Sequence, residues 1–450
     1  MGERSKWRPA RLREAHAHIH PHGRSKSMVD LSDCRSAAEI LNRLAEAYAG
    51  LPPAPSFGSE EERRRWFKSE PWVLAHGARI ESFEDPEWPP LEELDAIVPD
   101  RGLAAWSFDH HELVTNSLSL SHAHLASDTL RDPCIVRDAD GKPTGLLQEH
   151  AAHQLWSSRP ESSHERATAD TRLAIEDLAR HGFVEVHDLK SDVADLHALA
   201  TCGEEGWLRE TGVSVKAFYA HADWGSLDEL EDNAWQIKLS KDLGAPGVRV
   251  VGGKIFVDGT LNGRTAWMLH PYADGRPEHP EGMRLLSQEE IANAIEACVA
   301  SGLQLAAHAI GDAAVRAVLD AAERARAPRG SVRIEHAALI DEADVPRFAE
   351  LGVIASVQPC HLLYDIEALR RACPDRLDRA LPIRELIDSG LKPGRDILFG
   401  SDTPIVRPDP EDSILAATNR GRSDMALADG IAPSQAISEA EAWACFDADA

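Results

Sequence analysis

The chain has 450 residues, of which 43% are hydrophobic and 6% aromatic, so it carries enough apolar material for a large core. Asp and Glu outnumber Lys and Arg by 75 to 48, and the net charge of −27 disfavours nucleic acid or an anionic membrane as a partner. Seven scattered cysteines without a CxxC pair, and the lack of any run of about 18 apolar residues, predict a cytoplasmic protein with reduced thiols.

The first predicted strand carries closely spaced histidines, in the sequence Glu14-Ala-His16-Ala-His18-Ile-His20. Residues two apart in a strand face the same side, so His16 and His18 would place two imidazoles together as half of a metal site. His18 and His20 form a competing pair, and the spacing leaves both pairs open. A His-rich surface tract would have the same sequence, so the motif needs support from other parts of the chain.

The next stretch, residues 23–165, does not follow the pattern of the rest of the chain. It contains five tryptophans, a Pro-rich patch at 51–55 and a charged run at 59–65. We predict an insertion, partly helical, that folds over a barrel mouth. The predicted organisation is therefore a first barrel strand in residues 10–22, a cap in 23–165 and the remainder of the barrel in 166–445.

From about residue 170 onward, short runs rich in Val, Ile and Phe alternate with stretches of helical period, which is typical of a parallel sheet built from βαβ units. With the first strand, these runs make eight β/α repeats, enough to close a (β/α)8 barrel. An open doubly wound sheet is the alternative, and the placement of polar residues favours the barrel. The seven predicted strands are 182–187, 213–219, 248–257, 303–308, 332–336, 353–358 and 396–402.

Three of these strands end in a polar residue that could bind a metal ion. His308, His336 and Asp402 each follow an apolar run. The carboxyl ends of barrel strands are where barrel enzymes keep their catalytic groups. A single histidine at a strand end is more often a packed residue than a ligand, but three such positions together with the histidines of the first strand indicate a metal site.

Lys254 is a further candidate, because it lies inside the buried-strand pattern Val251-Gly-Gly-Lys254-Ile-Phe-Val257. Burying an ammonium group is costly unless it is paired or neutralised. One interpretation is an ion pair with a carboxylate such as Asp258. The other is carbamylation of Lys254 by CO2, which would turn it into an anionic ligand able to bridge two metal ions.

These residues and their order resemble the amidohydrolase superfamily of metal-dependent (β/α)8-barrel hydrolases, and more closely its amidohydrolase family 3 branch, which includes N-substituted formamide deformylases. The similarity extends from about residue 12 to about 445. The segments that carry it are 108–117, 143–149, 253–266, 308–315, 333–337 and 399–404. The resemblance implies that the metal ligands are His16, His18, Lys254, His308, His336 and Asp402.

Two features depart from that family. Only 15 residues precede His16, so we expect the usual small β-sandwich domain to be largely absent, and Glu14 stands where the family more often has Asp. The imidazole and carboxylate ligands predict one or two divalent ions. Zn²⁺ is the first choice by ligand preference, with Fe²⁺ or Mn²⁺ as alternatives.

The predicted chemistry is hydrolysis of a non-peptide C–N bond of the amide or formamide type in a small-molecule substrate. The sequence is also compatible with a homo-oligomer. A metal ion lowers the pKa of bound water from 15.7 to about 7, and the resulting hydroxide would attack the substrate carbonyl. Asp402 would act as the general base and then as the acid for the departing amine. The alternatives are the same barrel acting as a deaminase, lactonase or isomerase, and a non-catalytic barrel that binds a metal or a metabolite.

Three residues are predicted to contact the substrate: His111 from the insertion, Arg264 after the fourth strand and His361 after the seventh. Arg264 could hold a substrate carboxylate in a bidentate fork. A salt bridge to a structural aspartate is an equally good interpretation of Arg264 in so acidic a protein.

Overall fold

The computed structural model describes residues 7–69, 72–127, 130, 132–160, 162–220 and 245–450. Its strands are β1 (Leu12–Ala17), β2 (Val29–Asp30), β3 (Val73–Ala78), β4 (Leu103–Ser107), β5 (Glu112–Val114), β6 (Ile135–Arg137), β7 (Pro143–Gln148), β8 (Phe183–Ser191), β9 (Ser214–Ala220), β10 (Val248–Phe256), β11 (Gln304–Ala309), β12 (Val332–His336), β13 (Ile354–Val357) and β14 (Ile397–Phe399).

The helices in the described residues are α1 (Ile19–Ser25), α2 (Ala37–Ala49), α3 (Glu60–Ser69), α4 (Leu91–Ile97), α5 (Ser117–His122), α6 (Glu149–Ser158), α7 (His164–Arg180), α8 (Val193–Glu204), α9 (Trp207–Thr211), α10 (Gln288–Ala300), α11 (Asp312–Arg324), α12 (Val345–Leu351), α13 (Leu362–Ala372), α14 (Ile383–Asp388), α15 (Pro410–Asn419) and α16 (Glu439–Ala444). The chain divides into two compact units, one formed by residues up to 23 together with 164–450, the other by 24–163. In the described part of the chain, none of these helices combines the length and the hydrophobicity needed to cross a bilayer.

The larger unit contains an eight-stranded parallel sheet in the order β1-β8-β9-β10-β11-β12-β13-β14. The sheet is nearly closed, because its first and last strands also meet. The amide of His18 donates to the carbonyl of Thr403 (2.9 Å), and the amide of Asp402 donates to the carbonyl of His16 (2.7 Å). The predicted barrel is therefore confirmed, and the seven predicted strands match β8 to β14 to within a few residues.

The barrel core lies between the sheet and the surrounding helices. Helix α11 shows the pattern clearly, since Val315, Val318 and Leu319 lie on its buried side. Helices α8 and α10 begin at capping boxes, Asp192 with Asp195 and Ser287 with Glu290, which satisfy the first backbone N–H groups of each helix. These local signals fix where each helix begins relative to the strand before it.

The smaller unit contains a six-stranded mixed sheet in the order β2-β3-β4-β5-β7-β6. Strands β2, β3 and β4 pair in parallel, whereas β5, β6 and β7 pair antiparallel. Its own apolar core includes Leu31, Ile40, Leu44, Leu103 and Val114. The predicted insertion after the first strand is thus confirmed, and it is partly helical as expected. Its role as a cap over the barrel mouth stays a prediction.

Candidate metal centre

The ends of β1 and β14 bring two histidines to one aspartate. His16 is fully buried, and its Nε2 atom lies 3.3 Å from Oδ1 of Asp402. The Nε2 atom of His18, just after β1, lies 2.9 Å from the same oxygen. His20 turns elsewhere, and its Nδ1 atom is 2.5 Å from a carboxylate oxygen of Asp195. Of the two pairs that the spacing allowed, the structure therefore places His16 and His18 together.

His336 joins this group from the end of β12. Its ring centroid is 4.9 Å from that of His16, and its Nδ1 atom is 4.0 Å from Oδ2 of Asp402. Strict alternation would turn His336 away from the side that Glu335 faces. The strand ends here with a left-handed backbone, φ 69° at His336 and 43° at Ala337, and this turn lets both side chains approach His16.

His308 and Lys254 come from the neighbouring strands β11 and β10. The ring of His308 lies 4.5 Å from that of His336, and its Nε2–H donates to the carbonyl of Gly259 (3.1 Å), which leaves Nδ1 as the nitrogen with a lone pair. Lys254 is 1% exposed and pairs in register with Ala306 of β11. The sequence-predicted ligands thus converge on one region of the barrel.

The protonation states favour a cation at this point. Burial lowers the pKa of His16 to about 4, and burial together with the neighbouring His308 holds the pKa of His336 well below its ordinary value. Burial opposes ionisation of Asp402, but the imidazoles of His16 and His18 offset it, so that its pKa lies well below the usual range. Neutral imidazoles beside an ionised carboxylate are the forms that bind a divalent metal.

The donor atoms themselves fit a metal ion. One ligand atom from each of His16, His336 and Asp402 lies within 4.8 Å of the others, and all three residues are buried. Within the described part of the chain, Nε2 of His16 and Nδ1 of His336 have no hydrogen-bond partner. Since unsatisfied buried polar atoms are rare and costly, a shared cation is the simplest group to satisfy them.

A buried ion pair orients His16, and the sequence analysis missed it. The Nδ1–H of His16 donates to Oε2 of Glu335 (2.7 Å), which directs Nε2 toward Asp402. Glu335 is in turn bound by the guanidinium of Arg333, which also donates to Ser356 Oγ (2.7 Å). The available signal was the alternation of Arg333 and Glu335 in β12, since it places two opposite charges on one face of a buried strand.

Hydrogen bonds bear on two alternatives that the sequence left open. The carboxylate of Asp258 accepts backbone N–H bonds from Trp267, Ile310 and Gly311 at 2.9–3.0 Å, so it anchors loops at this end of the barrel. Arg264 forms a bidentate pair with Asp274 (2.8 and 2.6 Å). A substrate carboxylate would have to compete with that ion pair for the guanidinium.

The other two predicted substrate contacts lie in different units. His361 is beside the candidate centre, because its Nε2 atom is 3.8 Å from Oδ2 of Asp402 and 3.2 Å from the carbonyl of Ser401. His111 belongs to the smaller unit, where its Nδ1 atom is 2.8 Å from Oε2 of Glu149. A substrate role for either residue stays a prediction.

Sequence comparisons identify the family of the chain. A family model described as "Amidohydrolase family" matches residues 12–446. The chain is 28% identical to the putative amidohydrolase YtcJ of Bacillus subtilis (strain 168), covering 91% of this chain and 73% of that protein. It is 24% identical to the N-substituted formamide deformylase of Arthrobacter pascens, covering 95% and 76%. It is 31% identical to the protein LONG AFTER FAR-RED 3 of Arabidopsis thaliana, covering 78% and 60%.

Two solved structures of metal-dependent hydrolases are similar to this chain. An uncharacterized metal-dependent hydrolase from Pyrococcus horikoshii OT3 is similar with a TM-score of 0.70 and 25% identity, over 96% of this chain and 78% of that one. A second uncharacterized metal-dependent hydrolase, from Pyrococcus furiosus, gives a TM-score of 0.66 and 27% identity, over 96% and 80%. The similarity therefore covers nearly the whole of this chain.

Proposed function

Since this chain belongs to the amidohydrolase family, we propose that it is a metal-dependent enzyme that hydrolyses a C–N bond of the amide or formamide type outside ordinary peptides. The observation that carries the proposal is the convergence of one donor atom each from His16, His336 and Asp402 within 4.8 Å. The formamide side of the proposal is supported by the similarity to a protein named N-substituted formamide deformylase.

The residues that would hold the ion are His16, His18, His336 and Asp402, with His308 and Lys254 beside them. This nitrogen-and-carboxylate donor set suits Zn²⁺. When bound, such an ion acidifies water and polarises a carbonyl group. Glu335 keeps His16 in the tautomer that offers Nε2, through the 2.7 Å hydrogen bond at Nδ1.

Asp402 is the residue proposed to move the proton. Its carboxylate is ionised at neutral pH and is therefore in the form that can accept a proton. An acyl C–N bond breaks readily only when the departing nitrogen is protonated, and in this proposal the same carboxylic acid would return the proton. The left-handed backbone of Asp402 (φ 62°) and its amide bond to the carbonyl of His16 fix the side chain at the end of β1.

Lys254 is proposed to be carbamylated. Burial lowers the pKa of Lys254 to about 8, which increases the fraction of free amine that can add CO2 with loss of a proton. The carbamate would be an anion in a site that otherwise buries an ammonium group. Mass spectrometry of the intact protein under native conditions, with and without bicarbonate, measures this modification directly.

The test combines metal analysis with a panel of substrates. The purified protein is loaded with zinc and assayed against N-formyl amines, N-acetyl amines, ureas, lactones and aminopyrimidines. We expect amine release from at least one N-formyl or N-acetyl compound, and a loss of about 10²–10⁴-fold in Asp402→Asn. The matched control is Asp388→Asn, whose side chain is 66% exposed on α14 and should leave the rate unchanged.

Two results would refute the proposal. Hydrolysis of lactones or deamination alone, with every C–N acyl compound untouched, would assign a different reaction to the same barrel. Zinc binding without turnover of any compound, equal in wild type and Asp402→Asn, would indicate a binding protein.

A further inference from the structure

Lys190, near the end of β8, is a cation that the proposed mechanism does not use. Along β8 the side chains of His187 and Leu189 face the barrel interior, because His187 accepts a hydrogen bond from Arg333 (2.9 Å) and Leu189 packs with Phe218. Strict alternation would direct Lys190 outward, to the helices. Its actual position therefore needs an explanation.

A bulge provides that explanation. Asp188 pairs with Ala217, whereas Ser191 pairs with Tyr219, so β8 has one more residue than β9 over this interval. Such a bulge redirects side chains and is common beside active sites. Here it brings the ammonium of Lys190 to 5.3 Å from the ring centre of Phe256 at the end of β10.

Phe256 connects Lys190 to the candidate metal centre. The ring of Phe256 lies 5.2 Å from the ring of His308, and the ammonium of Lys254 lies 5.0 Å from the same Phe256 ring. One aromatic side chain thus separates Lys190 from residues of the centre. A substrate bound at the centre would reach Lys190 with a short substituent.

Within the described residues, the charge of Lys190 is not matched by a carboxylate in an ion pair. The two nearby acids, Asp192 and Asp195, cap helix α8 by accepting each other's backbone N–H, and Asp195 also holds His20. Among the residues that the structure describes, none forms an ion pair or a hydrogen bond with Lys190. Burial lowers its pKa to about 8, so the ammonium form still predominates at neutral pH.

We propose that Lys190 binds the negatively charged group of the substrate, so that the preferred substrates are N-acyl or N-formyl amines bearing a carboxylate a few bonds from the scissile nitrogen. This inference rests on the proposed function for the reaction, but it concerns a different residue and a different part of the substrate. The ring of Phe256 stabilises the ammonium group of Lys190 by a cation–π interaction, and a substrate carboxylate would stabilise it more strongly through a charge-assisted hydrogen bond.

The experiment compares a charged substrate with a neutral one of the same shape. The pair is N-formyl-β-alanine and N-formylpropylamine, with the N-acetyl analogues alongside. We expect kcat/KM to favour the carboxylate by about tenfold or more, as is typical of one charge-assisted contact. Lys190→Met should remove this preference while leaving the neutral substrate unaffected, and Lys190→Arg should keep most of it. Lys392→Met, which changes an exposed lysine before β14, is the control.

A binding measurement separates this inference from the proposed reaction. N-Methanesulfonyl-β-alanine and N-propylmethanesulfonamide cannot be hydrolysed as amides, and calorimetry on the metal-loaded protein compares their affinities. Tighter binding of the charged sulfonamide that depends on Lys190, without hydrolysis of any compound, would support the inference and reject the reaction. Equal hydrolysis of charged and neutral formamides would reject the inference and support the reaction. If Lys190→Met does not fold, the test uses wild type and Lys190→Arg, and compares the ratio of kcat/KM for the charged and the neutral substrate in each protein.

Discussion

Replacing Glu335 by Gln tests whether the buried ion pair, rather than the ligands alone, builds the metal site. The substitution removes the negative charge that faces both Arg333 and His16, and all three side chains are at most 1% exposed. Breaking a buried ion pair by neutralising one partner costs about 3–5 kcal/mol of folding free energy. Loss of the residue that orients a ligating histidine typically lowers metal affinity by about 10–100-fold.

Two measurements check this prediction. Chemical denaturation of the metal-free protein gives the free energy of unfolding, and competition with a chelator gives zinc affinity. We expect both to fall in Glu335→Gln. Glu411→Gln, at a site whose side chain is 62% exposed, should change neither. Wild-type zinc affinity in a stably folded Glu335→Gln protein would show that His16 does not need Glu335, and the reasoning would be wrong.

Three further predictions follow from other contacts. Burial and Arg333 lower the pKa of His187 from 6.5 to about 3, so below pH 6.5 only the unfolded chain takes up this proton, and the free energy of unfolding falls by up to about 1.4 kcal/mol per pH unit. In His187→Gln the free energy of unfolding should therefore depend less on pH between 7 and 5. An unchanged pH dependence would contradict this prediction. Arg264→Gln and Asp274→Asn should destabilise the fold by similar amounts and non-additively, whereas a rise in KM with unchanged stability would favour the substrate role of Arg264. In Gly400→Ala the new methyl group would lie 2.4 Å from the amide nitrogen of His16, so zinc affinity and thermal stability should both fall. Gly50→Ala is the control, because the nearest atom to its methyl group is 3.5 Å away. Equal zinc affinity and thermal stability in the two variants would refute the steric argument.

The barrel could be predicted from the sequence because its determinants are local. Most of the strands are short apolar runs, three of them end in a polar candidate, and the parallel arrangement brings His308, His336 and Asp402 to one end whatever the details of the loops. Helix beginnings are local as well: α10 begins at Ser287, where the Ser-x-x-Glu spacing to Glu290 forms a capping box. These features depend on period and order, which a sequence shows directly.

The features of the site that the sequence did not predict depend on backbone irregularities, which the periodicity of hydrophobic residues does not reveal. The bulge that redirects Lys190 adds one residue to β8, and the left-handed turn at His336 lets Glu335 approach the same site. Neither has a sequence signature as strong as a glycine or a proline. Arg264 could pair with a carboxylate of the protein or with a carboxylate of the substrate, and the sequence cannot distinguish the two because their chemistry is the same. The structure shows the ion pair with Asp274.

The candidate ligands His16, His18 and Asp402 lie where the first and last strands of the barrel meet, which affects how the protein folds. Glu14, beside His16, accepts a hydrogen bond from the amide of Ser401, 387 positions further along the chain. The ion-binding pocket therefore cannot assemble on a growing polypeptide until almost all of it has been synthesised. Contacts between residues so far apart in the sequence form slowly, and the edge of β1 that faces β14 stays unpaired until the last strand has been synthesised. Metal capture would then report completion of the ring, coupling acquisition of the cofactor to the end of folding.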